Sequence, residues 1–493
     1  MRFHVVARAV GALIACLALV GLLPLLADWV AGFPIWPWLV MLALLCGCGG
    51  GLWYWGSRRD EQMGLREGVA ITSLIWIIAS FLAGTGIWLA TPASTWMEGW
   101  FEAMSGFTTT GSSIFGEQVA IADLSPGVHL WRALLQWMGG IGIVVISLAL
   151  LPLLVAGSGF QLYRAEVPGI DTDRLAPRIR DSARILLRLY LGMTIFVFLG
   201  LMACGANAFD AICHAMTTVS TGGFSTYDNS VEGLGSAAAE WILIIGMLLA
   251  GFNFGLLLQA VRGKPLRIWR SSEARLYLLL CGVASALVAC SLALAEPAYA
   301  GRPHDLLRDS FFQVVSLTTT TGFGTGYDIL PAAWEAWPAP ATVTLLFLMI
   351  GGACAGSTAG GIKLVRFLVA WTAARRELRR YVEPTRITPI HLDGHAVKDQ
   401  VVLQVATFFF IYLLSWLLGT IGLALSGQDL VTAGSAALSC LSNIGPGLGE
   451  VGPADHFAGL GASGELICIM LMLLGRLEFF GVLMLLRPRT WQR

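Results

Sequence analysis

The sequence predicts an all-α membrane protein: four pseudo-symmetric repeats of helix, re-entrant segment and helix around one central axis, preceded by a two-helix hairpin. Three observations predict it. Of 493 residues, 56 % are hydrophobic and only 13 % charged, half the soluble-protein norm of about 25 %. Long uncharged runs recur along the whole chain. Between them lie four shorter uncharged stretches that dissolve into Thr, Ser and Gly. Such a composition cannot cover a soluble surface. It also excludes a disordered chain, a coiled coil and a nucleic-acid binder of the basic-patch kind.

A bilayer core of about 30 Å takes roughly 20 apolar residues in a helix. Uncharged runs of 19 residues or more cover 9–27, 29–57, 68–97, 133–163, 189–209, 241–261, 276–295, 336–362 and 400–428. A tenth span, 464–486, is interrupted by Arg476 and Glu478. Ten transmembrane helices are therefore expected. The first run follows Arg2 and Arg8, but it exceeds the apolar core of a signal peptide, about 7–15 residues. It reads as a retained helix.

Stretches 103–116, 211–227, 310–327 and 430–449 each begin helix-like and then break. Irregular backbone at membrane depth is tolerated only when buried in protein or lining a water-filled cavity. They are expected to be four re-entrant helices followed by loops, with Asp210, Asp309 and Asp429 near three of the helix starts. The expected units are the hairpin 1–66 and repeats at 67–163, 164–262 and 263–372. The segment 373–493 then holds a cytoplasmic connector and the fourth repeat.

Charge fixes the orientation. With the N-terminus inside, inner segments hold 27 Lys/Arg and 12 acids, whereas outer segments hold 18 acids and three bases, Arg132, Arg302 and Arg308. The formal neutrality is thus a separation of +15 inside from −15 outside, which places both termini in the cytoplasm. The acidic outer face suits cation capture.

The re-entrant stretches end in related sequences. They read Thr109-Thr110-Gly111, Thr221-Gly222-Gly223, Thr320-Thr321-Gly322-Phe323 and Asn443-Ile444-Gly445, with Gly111, Gly222, Gly322 and Gly445 spaced by 111, 100 and 123 residues. One such segment alone reads as an outer loop or a close helix contact. Four in matching places read as a filter, because a dehydrated monovalent cation needs carbonyl oxygens in place of its hydration shell. Gly permits the dihedrals that turn those carbonyls inward. Helix C-termini aimed at the axis add a field favourable to cations.

The span 336–362 ends in Gly351-Gly352-Ala353-Cys354-Ala355-Gly356-Ser357-Thr358-Ala359-Gly360-Gly361, then Ile362-Lys363. Nine of the eleven residues 351–361 are Gly, Ala or Ser, and each Gly disfavours helix by about 1 kcal/mol. The plain reading is a small-residue helix contact; the sharper one is a flexible loop that obstructs the path, with Lys363 anchoring its inner end at the cytoplasmic surface. Arg476 lies mid-span, where a charge usually faces the bundle interior. Asn253, polar at membrane depth, reads as an interhelical hydrogen-bonding residue rather than an ion ligand.

At these residues the chain resembles the Trk/Ktr/HKT superfamily of potassium transporters, most of all its TrkH branch. The resemblance covers essentially the whole chain. It includes Gln136-Trp137-Met138-Gly139-Gly140-Ile141-Gly142, Phe209-Asp210-Ala211-Ile212-Cys213-His214-Ala215 and Gly475-Arg476-Leu477-Glu478. It implies K+ (with Rb+ as surrogate) bound at Thr110, Gly111, Thr221, Gly222, Thr321, Gly322, Ile444 and Gly445. It further implies a gate formed by the third-repeat loop and a pore charge at Arg476. A bacterial inner-membrane homodimer is implied, with cytoplasmic nucleotide-binding RCK-type TrkA subunits. Nucleotide would then act only through that partner, and loops 164–188 and 363–398 offer basic docking surfaces. Passive or weakly coupled K+ uptake (symport being the coupled form) is expected, and no enzymatic activity.

Two rivals remain. The potassium subunit of a P-type pump shares the fourfold plan but not the N-terminal hairpin. A membrane-embedded enzyme would need a nucleophile or acid–base constellation at depth, and none of the seven His sits beside such a partner. The GxGxxG at Gly459–Gly464 follows no strand, and the pairs Cys46/Cys48 and His391/His395 lack further ligands. Whether Cys204 and Cys213 bond is open.

Overall fold

A computed structural model describes residues 1–57, 64–91, 94–116, 119–156, 175–325, 334–383 and 389–488; the side chains of 65, 143–156, 175–182, 395, 480 and 486 are not described. Residues 164–174 of the inner loop 164–188, read as a docking surface, lie outside them.

The hairpin is α1 (Phe3–Val20), which runs through Gly21 into α2 (Leu22–Ala31), and α3 (Trp36–Gly56). Next come α4 (Leu65–Ala90), α5 (Trp96–Phe107) and α6 (Pro126–Ala156). They are followed by α7 (Leu175–Ala203), α8 (Ala208–Val219), α9 (Ala237–Gly251), α10 (Phe254–Val261) and the short α11 (Leu266–Arg270). Then come α12 (Ser272–Ala295), α13 (Pro303–Thr318), α14 (Ala339–Ile350) and α15 (Leu364–Val382). A two-stranded hairpin, β1 (Ile390–Leu392) and β2 (His395–Val397), leads to α16 (Asp399–Leu425), α17 (Leu430–Ser442), α18 (Gly461–Arg476) and α19 (Phe480–Leu486).

The four short helices α5, α8, α13 and α17 occupy the expected re-entrant stretches; α5, α8 and α13 start earlier than the uncharged windows, and α17 starts with its window at Leu430. Acids at or beside the helix starts, Glu98, Asp210, Asp305 and Asp429, favour a helix N-terminus. Thr95 and Glu98 form a capping box on α5, the Asn207 side chain accepts from the Asp210 amide at 2.8 Å, and Asp429 Oδ1 accepts from Val431 N at 2.8 Å. Asp309 differs from expectation. It lies well inside α13, which starts at Pro303, and it pairs with Arg308 at 3.0 Å.

Each short helix touches three longer ones in the same pattern: the span before it, the span after it, and the closing span of another repeat. For α5 these are α4, α6 and α18; for α8, α7, α9 and α6; for α13, α12, α14 and α9; for α17, α16, α18 and α14. The chain of contacts therefore returns on itself around one axis. Lipid faces the outside. On α16 the side chains of Leu403, Phe410, Leu413, Leu417 and Leu425 are exposed, while Tyr412 is buried.

Among the described residues seven helices are long and apolar enough to cross a membrane, or eight if the bent pair α9 and α10 is one span. The sequence suggested ten; of the three runs outside this count, 133–163 extends beyond the described residues, and 241–261 and 336–362 are broken. The run 241–261 bends by 108° between α9 and α10. The run 336–362 is helical only over α14. The last span stops at Arg476 and restarts at Phe480, with Glu478 and Phe479 at positive φ.

Candidate functional site

The C-termini of α5, α8, α13 and α17 converge, and their loops repeat one hydrogen-bond pattern. The amides of Thr109, Thr221, Thr320 and Asn443 bond to carbonyls three residues back, at 2.9–3.3 Å. The next amides, of Thr110, Gly222, Thr321 and Ile444, reach carbonyls five residues back at 2.9, 2.8, 2.8 and 3.1 Å. The first set has φ of 51°, 54°, 56° and 55°, and Gly111, Gly223, Gly322 and Gly445 follow at 85°, 79°, 83° and 108°. This corrects the register of the second loop. Gly223, not Gly222, is equivalent to the other three glycines, because Gly222 stands where Thr110, Thr321 and Ile444 stand. The spacings become 112, 99 and 123 residues.

Three of the four left-handed residues are Thr. A β-branched residue there is a genuine outlier, costing of order 1–3 kcal/mol and persisting only where its surroundings over-determine it. The glycines need their missing Cβ for a second reason. A Cβ on Gly111 would run into the Gly222 carbonyl oxygen, on Gly223 into that of Thr321, and on Gly322 into that of Ile444, while on Gly445 it would lie 2.9 Å from that of Thr110. Four backbone oxygens thus occupy four equivalent seams between neighbouring loops.

Polar side chains hold the loops from behind. Gln136 of α6 donates from Nε2 to the Gly222 carbonyl at 2.7 Å and accepts from Phe224 N at 3.2 Å. Ser316 Oγ donates to the Phe323 carbonyl at 2.8 Å, and Ser439 and Ser112 hydroxyls reach the Gly445 carbonyl at 2.7 and 3.0 Å. The Phe323 ring, 6.0 Å from that of His214, packs in the protein.

Above the loops lies a cavity of about 440 Å3, lined by Gly111, Gly223, Gly322, Gly445, Asp228 and Asp455 among others. Arg132, also in its lining, is internally neutralised. Its Nε meets buried Glu102 at 2.7 Å, and its guanidinium lies over the Phe224 ring at 4.1 Å. Arg308 is likewise paired, with Glu240 at 2.8 Å. At the rim, hydrogen bonds from the Thr432 hydroxyl and from the Thr432 and Val431 amides hold the Asp429 carboxyl below its usual range. Burial and the nearby Asp455 push Glu335 up, although it accepts from the Gly449 amide at 3.1 Å.

Below the loops lies the segment 351–363. Gly351 and Ile362 form an isolated bridge, so the segment closes on itself, with Gly352 N donating to the Ile362 carbonyl at 2.8 Å. Its attachments reach the second, third and fourth of the expected repeats. Gly360 N donates to Thr320 Oγ1 at 2.6 Å, and Thr358 Oγ1 to the Val219 carbonyl at 3.1 Å. Cys354 N donates to the Gly251 carbonyl at 3.0 Å, and Asn253 Nδ2 to the Ala355 carbonyl at 2.6 Å. Glu273 Oε1 accepts from both Ala355 N at 2.7 Å and Val365 N at 3.1 Å. Arg476 donates from Nη1 to the Thr358 carbonyl at 2.8 Å and from Nη2 to the Gly139 carbonyl at 3.2 Å.

Two expectations at this level change. Lys363 is not at the cytoplasmic surface: it is buried, and its ammonium donates to the Ala359 carbonyl, because the segment folds back over it. Glu478 is not on the helix of Arg476; the break at Leu477 turns it to an ion pair with Arg366. A smaller cavity of about 130 Å3 lies between this segment and the Arg476–Glu478 turn. All ten cysteines are free thiols, so Cys204 and Cys213 do not bond.

Sequence reasoning missed the clamps made by Gln136, Ser439 and Glu273. Gln136 carried a signal, since an amide inside an uncharged run must find partners. Glu273 carried none, because it reads as an ordinary first-turn acid.

The comparisons with known proteins agree with this geometry. The family model TrkH, described as "Cation transport protein", matches residues 40–492. The Trk system potassium uptake protein TrkH of Vibrio parahaemolyticus is 35 % identical over all of both chains, and that of Escherichia coli K12 is also 35 % identical at full coverage of both. The crystal structure of the potassium transporter TrkH from Vibrio parahaemolyticus superposes with a TM-score of 0.87 and 32 % identity, again covering both chains completely.

Proposed function

The chain belongs to the TrkH family of cation transport proteins, and from that premise we propose that it is the potassium uptake pore subunit of a Trk-type system. It is a transporter, not an enzyme. K+ enters the acidic outer cavity and dehydrates between the four loops. It then passes the segment 351–361 to reach the cytoplasm. The observation that carries this reading is the ring of Gly111, Gly223, Gly322 and Gly445 at equivalent positive-φ positions around one axis.

In this reading the filter consists of Thr109–Gly111, Thr221–Gly223, Thr320–Gly322 and Asn443–Gly445. Ion ligands come from Thr110, Gly111, Gly222, Gly223, Thr321, Gly322, Ile444 and Gly445, with Thr221 moved one position inward by the second loop's register. Backbone dipoles here replace water around the ion. The gate comprises Gly351, Gly352, Ala353, Gly356, Ser357, Thr358, Gly360, Gly361 and Lys363, with Arg476 as the fixed charge beneath the filter. The repeat boundaries given above, an inner-membrane location with both termini cytoplasmic, a homodimer, and a cytoplasmic nucleotide-binding TrkA ring complete the proposal.

The test is uptake of radioactive Rb+ into liposomes by the wild type and Gly322→Ser, with and without the partner. Wild-type flux, and loss of Rb+ uptake or of Rb+ over Na+ discrimination in the variant, support the reading. A wild type that carries no Rb+ under either condition overturns it.

A further inference from the structure

At the residue before each filter glycine, two loops solve the same problem with their own hydroxyls. Thr110 Oγ1 pairs with Thr108 Oγ1 at 2.7 Å, and Thr321 Oγ1 pairs with Thr319 Oγ1 at 2.7 Å. The second loop has Gly222 at this position and therefore has no side chain to offer. Its place is taken from outside. A Cβ built on Gly222 would overlap the Gln136 carboxamide, with Nε2 at 2.8 Å. Gln136 comes from α6 of the first repeat, is fully buried, and spans the loop on both sides of Gly223 by its bonds to Gly222 O and Phe224 N. Gly222 is not at positive φ, so the glycine there is explained by space and not by backbone conformation.

We propose that Gln136 is a specificity-determining positioning residue: a carboxamide from one repeat that completes the filter loop of the next, in place of the hydroxyl pair of the first and third loops. The carbonyl of Gly222 lies at the seam against Gly111, so Gln136 fixes how far the first two loops stand apart. Discrimination between K+ and the smaller Na+ depends on the field and spacing of such carbonyls. The second loop takes its main brace from another repeat, as the Gly445 carbonyl takes a second bond from Ser112. This inference rests on the reading of the four loops as the filter.

The experiment measures Rb+ uptake in competition with Na+ in liposomes. It compares the wild type, Gln136→Glu, Gln136→Met and the double variant Gln136→Ala/Gly222→Thr, each checked for a monodisperse folded peak. Gln136→Glu keeps the shape and replaces the donor with an acceptor facing Gly222 O; Gln136→Met fills the space without hydrogen bonds. The double variant gives the second loop a threonine two residues after Ser220, the spacing of the hydroxyl pairs in loops one and three. Both single variants are expected to lose Rb+ over Na+ discrimination by at least about tenfold, which is roughly 1.4 kcal/mol, while still conducting. The double variant is expected to regain most of it.

Single variants as selective as the wild type would overturn the proposal. So would folded single variants silent to both ions, which would have lost conduction and not discrimination. A folded double variant that stays unselective would overturn the equivalence with the threonine pairs. A wild type that conducts without discriminating would instead remove the filter reading itself, and so the two failures are distinguishable.

Discussion

The amide of Gly360 donates to the hydroxyl of Thr320 at 2.6 Å, joining the intramembrane segment to the left-handed residue of the third loop. The proposed gate and the proposed filter therefore share a hydrogen bond. Thr320→Val keeps the branched shape but removes the acceptor, leaving the Gly360 amide buried and unpaired. Such a loss costs about 1–3 kcal/mol, all charged to the arrangement in which the segment lies against the filter. The open fraction should rise by roughly tenfold for each 1.4 kcal/mol. Rb+ uptake without the partner is expected to increase, with Rb+ over Na+ discrimination kept. Unchanged or slower uptake would show that the bond does not hold the segment closed.

The register of the second loop makes a separate prediction. At Gly223 an alanine meets both a positive φ and the Thr321 carbonyl, a backbone atom that cannot move aside. The left-handed backbone alone costs an L-residue about 1–2 kcal/mol. At Gly222 an alanine meets only the Gln136 side chain, which can shift. Gly223→Ala should abolish Rb+ uptake, and Gly222→Ala should reduce it severalfold at most. The opposite order would restore the register read from the sequence.

Asp28 ties the N-terminal hairpin to the first repeat. This buried carboxylate accepts from Trp38 Nε1 at 2.7 Å, Ser125 Oγ at 2.9 Å and Gly127 N at 2.6 Å, and so fastens the start of α6. Asp28→Ala strands three donors, and hydrogen bonds to a charged group contribute about 1.5–3 kcal/mol each. The thermal midpoint in detergent is expected to fall by the equivalent of at least about 4 kcal/mol, while ion discrimination in the surviving folded protein stays as in the wild type. An unchanged midpoint would mean that the hairpin docks through its apolar face alone.

Much of this architecture was legible in the sequence, and the reasons are physical. Lipid leaves helices and protein-covered loops as the permitted forms, so charge-free runs and Thr/Gly endings located the spans and the four loops. The breaks were not legible. Phe252-Asn253 and Leu477-Glu478 sit in apolar runs whose composition suits a continuous helix, and only tertiary partners such as the Ala355 carbonyl on Asn253 make the break worthwhile. The off-by-one at Gly222 has a similar origin. Two adjacent glycines are equivalent to the eye, and the difference between them is the Gln136 side chain from another repeat. Lys363 was misplaced because a cation next to a cytoplasmic run normally reaches water, whereas here a carbonyl of its own segment captures it.

Arg476 performs two tasks that substitution can separate. Its guanidinium fork reaches the Thr358 carbonyl of the intramembrane segment and the Gly139 carbonyl of α6, bracing one against the other. In the proposed path it also sets a positive charge at the inner end, where Coulomb repulsion between unit charges a few ångströms apart amounts to several kcal/mol at an effective dielectric near 20. A lysine is a point charge that cannot reproduce a planar two-pronged contact. Arg476→Lys therefore keeps the repulsion and loses the brace, whereas Arg476→Met loses both. Maximal Rb+ uptake is expected to rise about tenfold in each, because the brace belongs to the obstructing arrangement and two carbonyl bonds to a charged group exceed 1.4 kcal/mol. The concentration of Rb+ giving half-maximal uptake should fall in Arg476→Met alone, since only that variant relieves the repulsion. Equal half-maximal concentrations in the two variants would show that the charge does not act on the passing ion, and unchanged maximal uptake in both would show that the brace does not hold the path closed.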